Sequence, residues 1–202
     1  MFRISDKTFN TLSKIQKVLL AIMAIASIIM CILMVFTAGA LPDSDTKIPT
    51  YSFALTCLAF ALAMICGFIY ANKDYSKPAH RYYKAMMCFY AFSAFIPIIA
   101  VFSVFSFNPV LLISITKFVL LLILGFGKDL GKKNTWIIFY IVLVLELLFS
   151  PALDAISAAS SAAVPISVGY SIPATLSRLV IVGILGLCVE AKYRDKDARG
   201  TV

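Results

Sequence analysis

Four charged residues in the second half of the chain lie within otherwise apolar stretches: Lys117, Glu146, Asp154 and Arg178. A charge at the depth of a lipid bilayer costs at least about 2.5 to 3.5 kcal/mol, so each one needs a partner or water. Lys117 lies fourteen residues before Gly131, and Glu146 lies fifteen residues after it. If Gly131 marks the turn between two antiparallel helices, both side chains reach nearly the same depth. The spacing therefore predicts an ion pair between Lys117 and Glu146.

Hydroxyl and charged side chains extend this pair into stripes at helical spacing, three or four residues apart. The stripes comprise Ser114 and Lys117; Glu146, Ser150, Asp154 and Ser157; and Ser171, Thr175 and Arg178. The residues that we predict to bind a solute are Ser114, Lys117, Glu146, Ser150, Asp154, Thr175 and Arg178. Closer to the basic loops, these helices have no charged residue over 118–124, 137–145 and 179–189, which predicts a recess that opens on one side and closes at mid-depth.

Two interpretations of these charges stay open. Lys117 and Glu146 can form a structural staple between helices, or they can bind a solute, with Glu146 as a proton acceptor. Arg178 can pair with Asp154, bind an anionic group with its planar guanidinium, or extend toward the membrane surface. Pro151 lacks an N–H group and therefore frees the carbonyl of the residue four positions earlier for water or a ligand.

The elements that position these residues are long apolar helices. The chain has 202 residues, of which 61% are hydrophobic and 14% are charged, and such a composition is not that of an ordinary soluble domain. Apolar runs of about 18 to 24 residues are long enough to cross a bilayer. We predict one transmembrane domain over residues 1–202, with an amphipathic cytoplasmic lead-in at 1–17. The six predicted spans are 18–41, 51–71, 85–106, 110–127, 135–157 and 172–191. Residues 158–170 form either an extended loop or a re-entrant segment.

The distribution of Lys and Arg predicts the orientation of these spans. The amino terminus, second loop, fourth loop and carboxyl terminus hold four, four, three and four of them, whereas the first, third and fifth loops hold one, none and none. Because cytoplasmic loops carry the excess of Lys and Arg, both termini are expected in the cytoplasm. The fold class predicted is therefore an all-α integral membrane protein with six transmembrane helices, in the plasma or inner membrane of the cell. The same alternation argues against a nucleic-acid-binding surface.

No sequence motif indicates an enzyme, a cofactor or a metal site: HExxH, GxSxG, a Walker loop and a cysteine pair are all missing. We therefore expect neither catalysis nor a cofactor. One hypothesis is a membrane protein that binds or transports a small polar solute through an outward-open recess between spans four, five and six. The alternative is a non-transporting accessory, assembly or immunity subunit whose ion pairs are structural. A channel is a third, less favoured hypothesis, because the inner half is apolar.

The layout is similar to that of the substrate-binding S components of energy-coupling factor transporters. It shares with them about two hundred residues, six helices, cytoplasmic termini and an outward-facing site built by the later helices. The resemblance implies a vitamin or related micronutrient as the solute. It also implies a separate energising membrane subunit that docks on the first three spans. The AxxxA pattern of that family's first helix is replaced here by Ala21, Ala24 and Ser27, so no residue role is carried over.

Overall fold

The computed structural model describes residues 5–42, 44–101, 109–127, 130–149 and 168–197. Within these ranges the backbone alone is described at 44–46, 49, 97–101, 109–111, 148–149, 168–177 and 194–197. The described residues form six α-helices and no strand, which confirms the all-helical fold class. The helices are α1 (Asp6–Ala40), α2 (Ser44–Asn72), α3 (His80–Val101), α4 (Pro109–Phe126), α5 (Lys132–Val144) and α6 (Val168–Asp197). A 3₁₀ turn (Lys77–Ala79) precedes α3, and a π turn (Leu145–Phe149) extends α5.

Helix α1 begins earlier than the predicted first span. Ser5 caps it, because the Ser5 hydroxyl accepts a hydrogen bond from the Thr8 backbone N–H at 3.2 Å. The helix then continues through Ala40. The predicted lead-in is therefore not a separate segment over its described part; residues 6–17 are the first turns of α1. Its buried face, which includes Phe9, contacts the rest of the bundle.

The first predicted loop is also shorter than expected. Residues 42–50 contain two aspartates and two prolines, which favoured a loop, yet α2 already begins at Ser44. Acidic residues are favourable in the first turn of a helix, where the backbone N–H groups point toward them. The apolar part of α2, Thr50–Asn72, still coincides with the predicted second span.

Helix α2 ends in a Schellman motif. The Asp74 N–H donates to the Ala71 carbonyl at 3.2 Å, and the Tyr75 N–H donates to the Tyr70 carbonyl at 3.2 Å. Asp74 and Tyr75 have φ angles of 49° and 56°, in the left-handed region that usually selects glycine. The Tyr70 and Tyr75 rings meet edge to face at 5.1 Å and supply the apolar contact that accompanies this motif. The chain thereby reverses tightly into α3.

Helices α1 to α4 pack as consecutive neighbours, and α5 and α6 pack against each other and return to α1 and α4. Small residues set the closest approaches. A side chain on Gly67 would meet Met86 Sδ at 2.8 Å, and one on Gly125 would meet Met87 Cβ at 3.0 Å. Met86 and Met87 are fully buried with Tyr83 at the centre of the bundle.

Within the described ranges, two helices have the length and apolar composition to cross a membrane: Asp6–Ala40 and Thr50–Asn72. A shorter apolar helix spans Leu112–Phe126. Much of the outer surface of α1 is apolar and exposed, with Val18 and Ile25 each 60% exposed and Phe36 75% exposed. A folded protein in water rarely leaves so large a continuous apolar face uncovered.

Candidate functional site

The predicted ion pair between α4 and the end of α5 is confirmed. Lys117 Nζ donates a hydrogen bond to Glu146 Oε2 at 2.6 Å. The Lys117 and Glu146 side chains are 14% and 9% exposed, so both charges have lost most of their contact with solvent. Such a short, charge-assisted contact is what two buried ions require to offset their desolvation.

A tyrosine from α3 completes the contacts of this carboxylate, and the sequence analysis missed it. The Tyr90 hydroxyl donates to Glu146 Oε1 at 3.4 Å, so each carboxylate oxygen has a donor. The ring of Tyr90 lies 6.0 Å from that of Phe60, and its backbone carbonyl accepts a hydrogen bond from Ser93 at 2.7 Å. These contacts hold the hydroxyl in position. We call Lys117, Glu146 and Tyr90 the central polar cluster.

The backbone around Glu146 departs from α geometry. Residues Leu145–Phe149 form a π turn, directly after the regular helix α5. The sequence gives a physical reason, since Pro151 cannot donate to the Leu147 carbonyl and its ring would collide with that carbonyl in an α-helix. A π turn widens the helix locally, and such turns are frequent at functional sites. Here it sets the direction from which Glu146 approaches Lys117.

The remaining predicted site residues are only partly described. Arg178 is half-buried on α6. Ser114 is half-buried on α4, one turn before Lys117. Ser150 and Asp154 lie outside the described residues, and Thr175 is described only as part of the α6 backbone. The structure thus brings together Lys117 and Glu146, and it adds Tyr90.

The bundle is apolar on the inner side of the central polar cluster. Leu121 and Leu124 follow Lys117 on the same face of α4, and they are 0% and 1% exposed. Phe118 packs against Phe92 and Phe95, which follow Tyr90 toward the other end of α3, with ring centroids 5.8 Å and 4.8 Å apart. The cluster is therefore bordered by packed aliphatic side chains toward the α4–α5 turn and by this aromatic group toward the end of α3.

A second buried carboxylate, also missed by the sequence analysis, lies at the opposite end of α5 and α6. Glu190 is 3% exposed, and its Oε1 is 3.8 Å from Lys132 Nζ. Nearby, the Tyr193 hydroxyl donates to the Leu130 carbonyl at 2.9 Å and shares a short hydrogen bond with the Thr135 hydroxyl. We call Lys132, Glu190, Tyr193 and Thr135 the inner polar cluster. The sequence did not predict a buried Glu190, because this residue directly precedes the basic terminal segment, where a charge is expected at the membrane surface.

An uncharged network joins α1, the α2–α3 turn and α6. The Tyr75 hydroxyl donates to Gln16 Oε1 at 2.9 Å and lies 2.8 Å from the Ser13 hydroxyl. Gln16 Nε2 donates to the Ile184 carbonyl at 3.3 Å and to Cys188 Sγ at 3.1 Å. Burial raises the pKa of Tyr75 to about 12, although the hydrogen bond with Ser13 lowers it in part. The network therefore consists of neutral groups at neutral pH.

The chain was compared with known protein families, with curated proteins and with solved structures, and none of them matches it.

Proposed function

We propose that the chain is a multi-pass protein of the cell membrane that binds or transports a small polar solute at the central polar cluster. Six membrane-crossing helices and two cytoplasmic termini are the arrangement that accounts for the apolar runs and for the Lys and Arg distribution. The exposed apolar faces of α1 and α2 support this, because lipid would cover them.

The observation that carries the solute-binding role is one buried carboxylate that two other helices contact. Glu146 lies on the π turn, and Lys117 of α4 and Tyr90 of α3 donate to its two oxygens. Arg178 of α6 is the second cation that we assign to this site. Ionisable residues at membrane depth are costly, and they are characteristic of substrate pathways and proton relays. Two cations, a carboxylate and a phenol suit a small polar solute that carries an anionic or zwitterionic group. Glu146 is the group best placed to accept a proton during transport.

The first three helices suit a partner role under the same proposal. In the S components of energy-coupling factor transporters, to which the layout is similar, those helices dock an energising subunit. Here the apolar face of α1 is exposed over most of its length, and Leu55 and Leu58 of α2 are exposed as well. A separate energising membrane subunit would find its contact surface on these helices.

The proposed solute binding is tested by purifying the protein from its native membrane and identifying the small molecules that denaturation releases. We expect one polar compound in stoichiometric amount with the wild type, and a loss of about ten-fold or more in the Glu146→Gln variant. Glu190→Gln is the matched control, because it removes the other buried carboxylate. Equal retention by both variants would show that Glu146 does not contact a solute.

The outward-open recess is tested by cysteine accessibility, in a background without the five native cysteines. A cysteine at Ser114, on the Lys117 side of α4, is expected to react with an impermeant thiol reagent that is added from outside. Thr116 is two residues away and exposed on the outer surface of α4, so Thr116→Cys is the control that lipid should protect. A silent Ser114→Cys would mean that the recess is packed.

The alternative function is an accessory, assembly or immunity subunit in which the charges only join helices. The specific observation that favours it is that both oxygens of Glu146 already have donors within the protein. Exchanging the charges in a Lys117→Glu/Glu146→Lys double variant separates the two functions. A structural staple would tolerate the exchange, whereas a solute site would lose its ligand although the protein remains folded.

A further inference from the structure

A groove of about 510 Å³ lies between α1, α5 and α6. Its walls are apolar side chains such as Leu19, Phe139, Leu143 and Leu187. The polar groups among its lining residues are the Gln16 amide, which is bonded to Tyr75, Ile184 and Cys188, and the Trp136 indole N–H. The groove therefore suits an apolar occupant better than a hydrophilic solute.

We propose that this groove holds one acyl chain of an anionic phospholipid from the cytoplasmic leaflet. The inference goes beyond the solute-binding role and requires only that the protein lies in a membrane. Along α5 the groove extends from Trp136 to Leu147, which corresponds to about 16 Å at the rise of a helix. That length matches one leaflet, which is about half of the ~30 Å hydrocarbon layer.

The charges at the inner end of the groove favour a phospholipid with an anionic headgroup. Lys132 and Lys133 begin α5, one turn before Trp136, which lines the groove. The Lys132 side chain is 27% exposed, and Lys133 is exposed. Trp136 contacts Phe139 edge to face at 5.4 Å and forms an aromatic wall at the level where headgroups begin. A phosphate in this position would meet the Lys133 ammonium, since Lys132 is paired with Glu190, while its chain would follow the groove toward the bilayer centre.

Trp136 is the single tryptophan of the chain, so its fluorescence reports on this groove alone. The full-length protein is reconstituted in phosphatidylcholine bilayers that contain a small fraction of phospholipid with brominated chains, which quench tryptophan on contact. We expect brominated phosphatidylglycerol to occupy the groove about five-fold more than brominated phosphatidylcholine at the same fraction, the enrichment expected for one lysine–phosphate contact. Lys133→Gln should reduce this preference, whereas Lys14→Gln, on the opposite face of α1, should not.

Filling the groove provides the second test. Gly183 lines it, and a Cβ atom added there would meet no atom within 4 Å, so Gly183→Leu should fold and occupy the space. The matched control is Gly39→Leu, at a helix glycine that is equally open but remote from the groove. We expect Gly183→Leu to abolish the preference for the anionic lipid and Gly39→Leu to keep it.

Four results would overturn the proposal. Equal quenching by both lipids, or a preference that persists in Gly183→Leu, would show that Trp136 contacts only the general lipid shell. Protection of Trp136 from both lipids in a cross-linked dimer would assign the groove to a second copy. Protection without a dimer would contradict membrane insertion itself. None of these results depends on Lys117 or Glu146, so a failure of the solute-binding role is distinguishable.

Discussion

Glu146 and Glu190 are both buried carboxylates paired with a lysine of a neighbouring helix, yet the two pairs differ in geometry. Lys117 lies 2.6 Å from Glu146 and is 14% exposed, whereas Lys132 lies 3.8 Å from Glu190 and is 27% exposed. The first carboxylate is on a π turn in the middle of the bundle, and the second is on a regular part of α6 near its end.

The difference shows that the access of the lysine to water decides how short the contact in a buried ion pair must be. A lysine that still reaches the surface keeps part of its hydration, so a long contact with its carboxylate suffices. A lysine enclosed at mid-depth keeps almost none, and only a short, direct contact offsets the cost of burial. The central polar cluster is therefore the more sensitive of the two to the loss of one partner.

The largest expected effect comes from removing one lysine from each pair. Lys117→Met leaves a buried carboxylate without its cation and should lower the free energy of unfolding by about 3 to 5 kcal/mol. Lys132→Met should cost less, on the order of 2 kcal/mol, because its contact is longer and Lys132 is partly hydrated, although Glu190 itself is buried. Reversible denaturation of the detergent-solubilised protein measures both values.

The double variant Lys117→Met/Glu146→Leu is the control for this experiment. It replaces both ions by apolar side chains and should recover most of the lost stability. Equal losses for the two lysine variants would contradict the comparison and show that exposure of the lysine is not what distinguishes the pairs.

A smaller effect is expected from the tyrosine of each cluster. Tyr193→Phe removes a donor to a backbone carbonyl and a partner of Thr135, and it should cost about 2 kcal/mol. Tyr90→Phe removes one long hydrogen bond and should cost about 1 kcal/mol. Only Tyr90→Phe should reduce retention of the co-purified solute. Reduced retention in Tyr193→Phe as well would place the inner polar cluster in the solute pathway.

The smallest effect is a pH dependence that arises in the uncharged network between the two pairs. The folded protein holds the Tyr75 proton up to a pKa of about 12, while the unfolded chain releases it near 10. Its contribution to stability is thus fully present below pH 10 and is lost as the pH rises toward 12. Between pH 10 and 12, the free energy of unfolding obtained from denaturation curves should fall more steeply with pH for the wild type than for Tyr75→Phe. Because the lysines titrate in both proteins, they do not account for a difference between them. Equal slopes of unfolding free energy against pH would therefore contradict the prediction.

The positions of the helices followed from the sequence where the apolar signal is strong. The predicted fourth span, 110–127, differs by one residue at each end from α4, Pro109–Phe126. The second span, 51–71, agrees with Thr50–Asn72. The loop predicted before it was wrong from Ser44 onward, because Asp45 and Pro49 favour a loop when only composition is considered. Hydropathy is averaged over a long window of residues, so it does not determine the residue at which a polar first turn becomes helical.

The central ion pair was predictable because a short turn fixes the relative depth of two antiparallel helices. Lys117 and Glu146 are nearly equidistant from Gly131, and no other information was needed. Tyr90 was not predictable in the same way, because its contact depends on the rotation of α3 about its axis. One signal was present: a tyrosine deep within an apolar run needs a partner for its hydroxyl group. Glu190 lacked even this signal.

The π turn at Leu145–Phe149 has a consequence for the direction of its own residues relative to α5. Such a turn accommodates one residue more than the regular spiral, and each residue of an α-helix corresponds to a rotation of about 100°. Deleting one residue there would restore the regular spiral and rotate the last residues of the turn by that angle about the α5 axis. The extra residue thus sets the direction in which the end of the turn faces relative to Lys117.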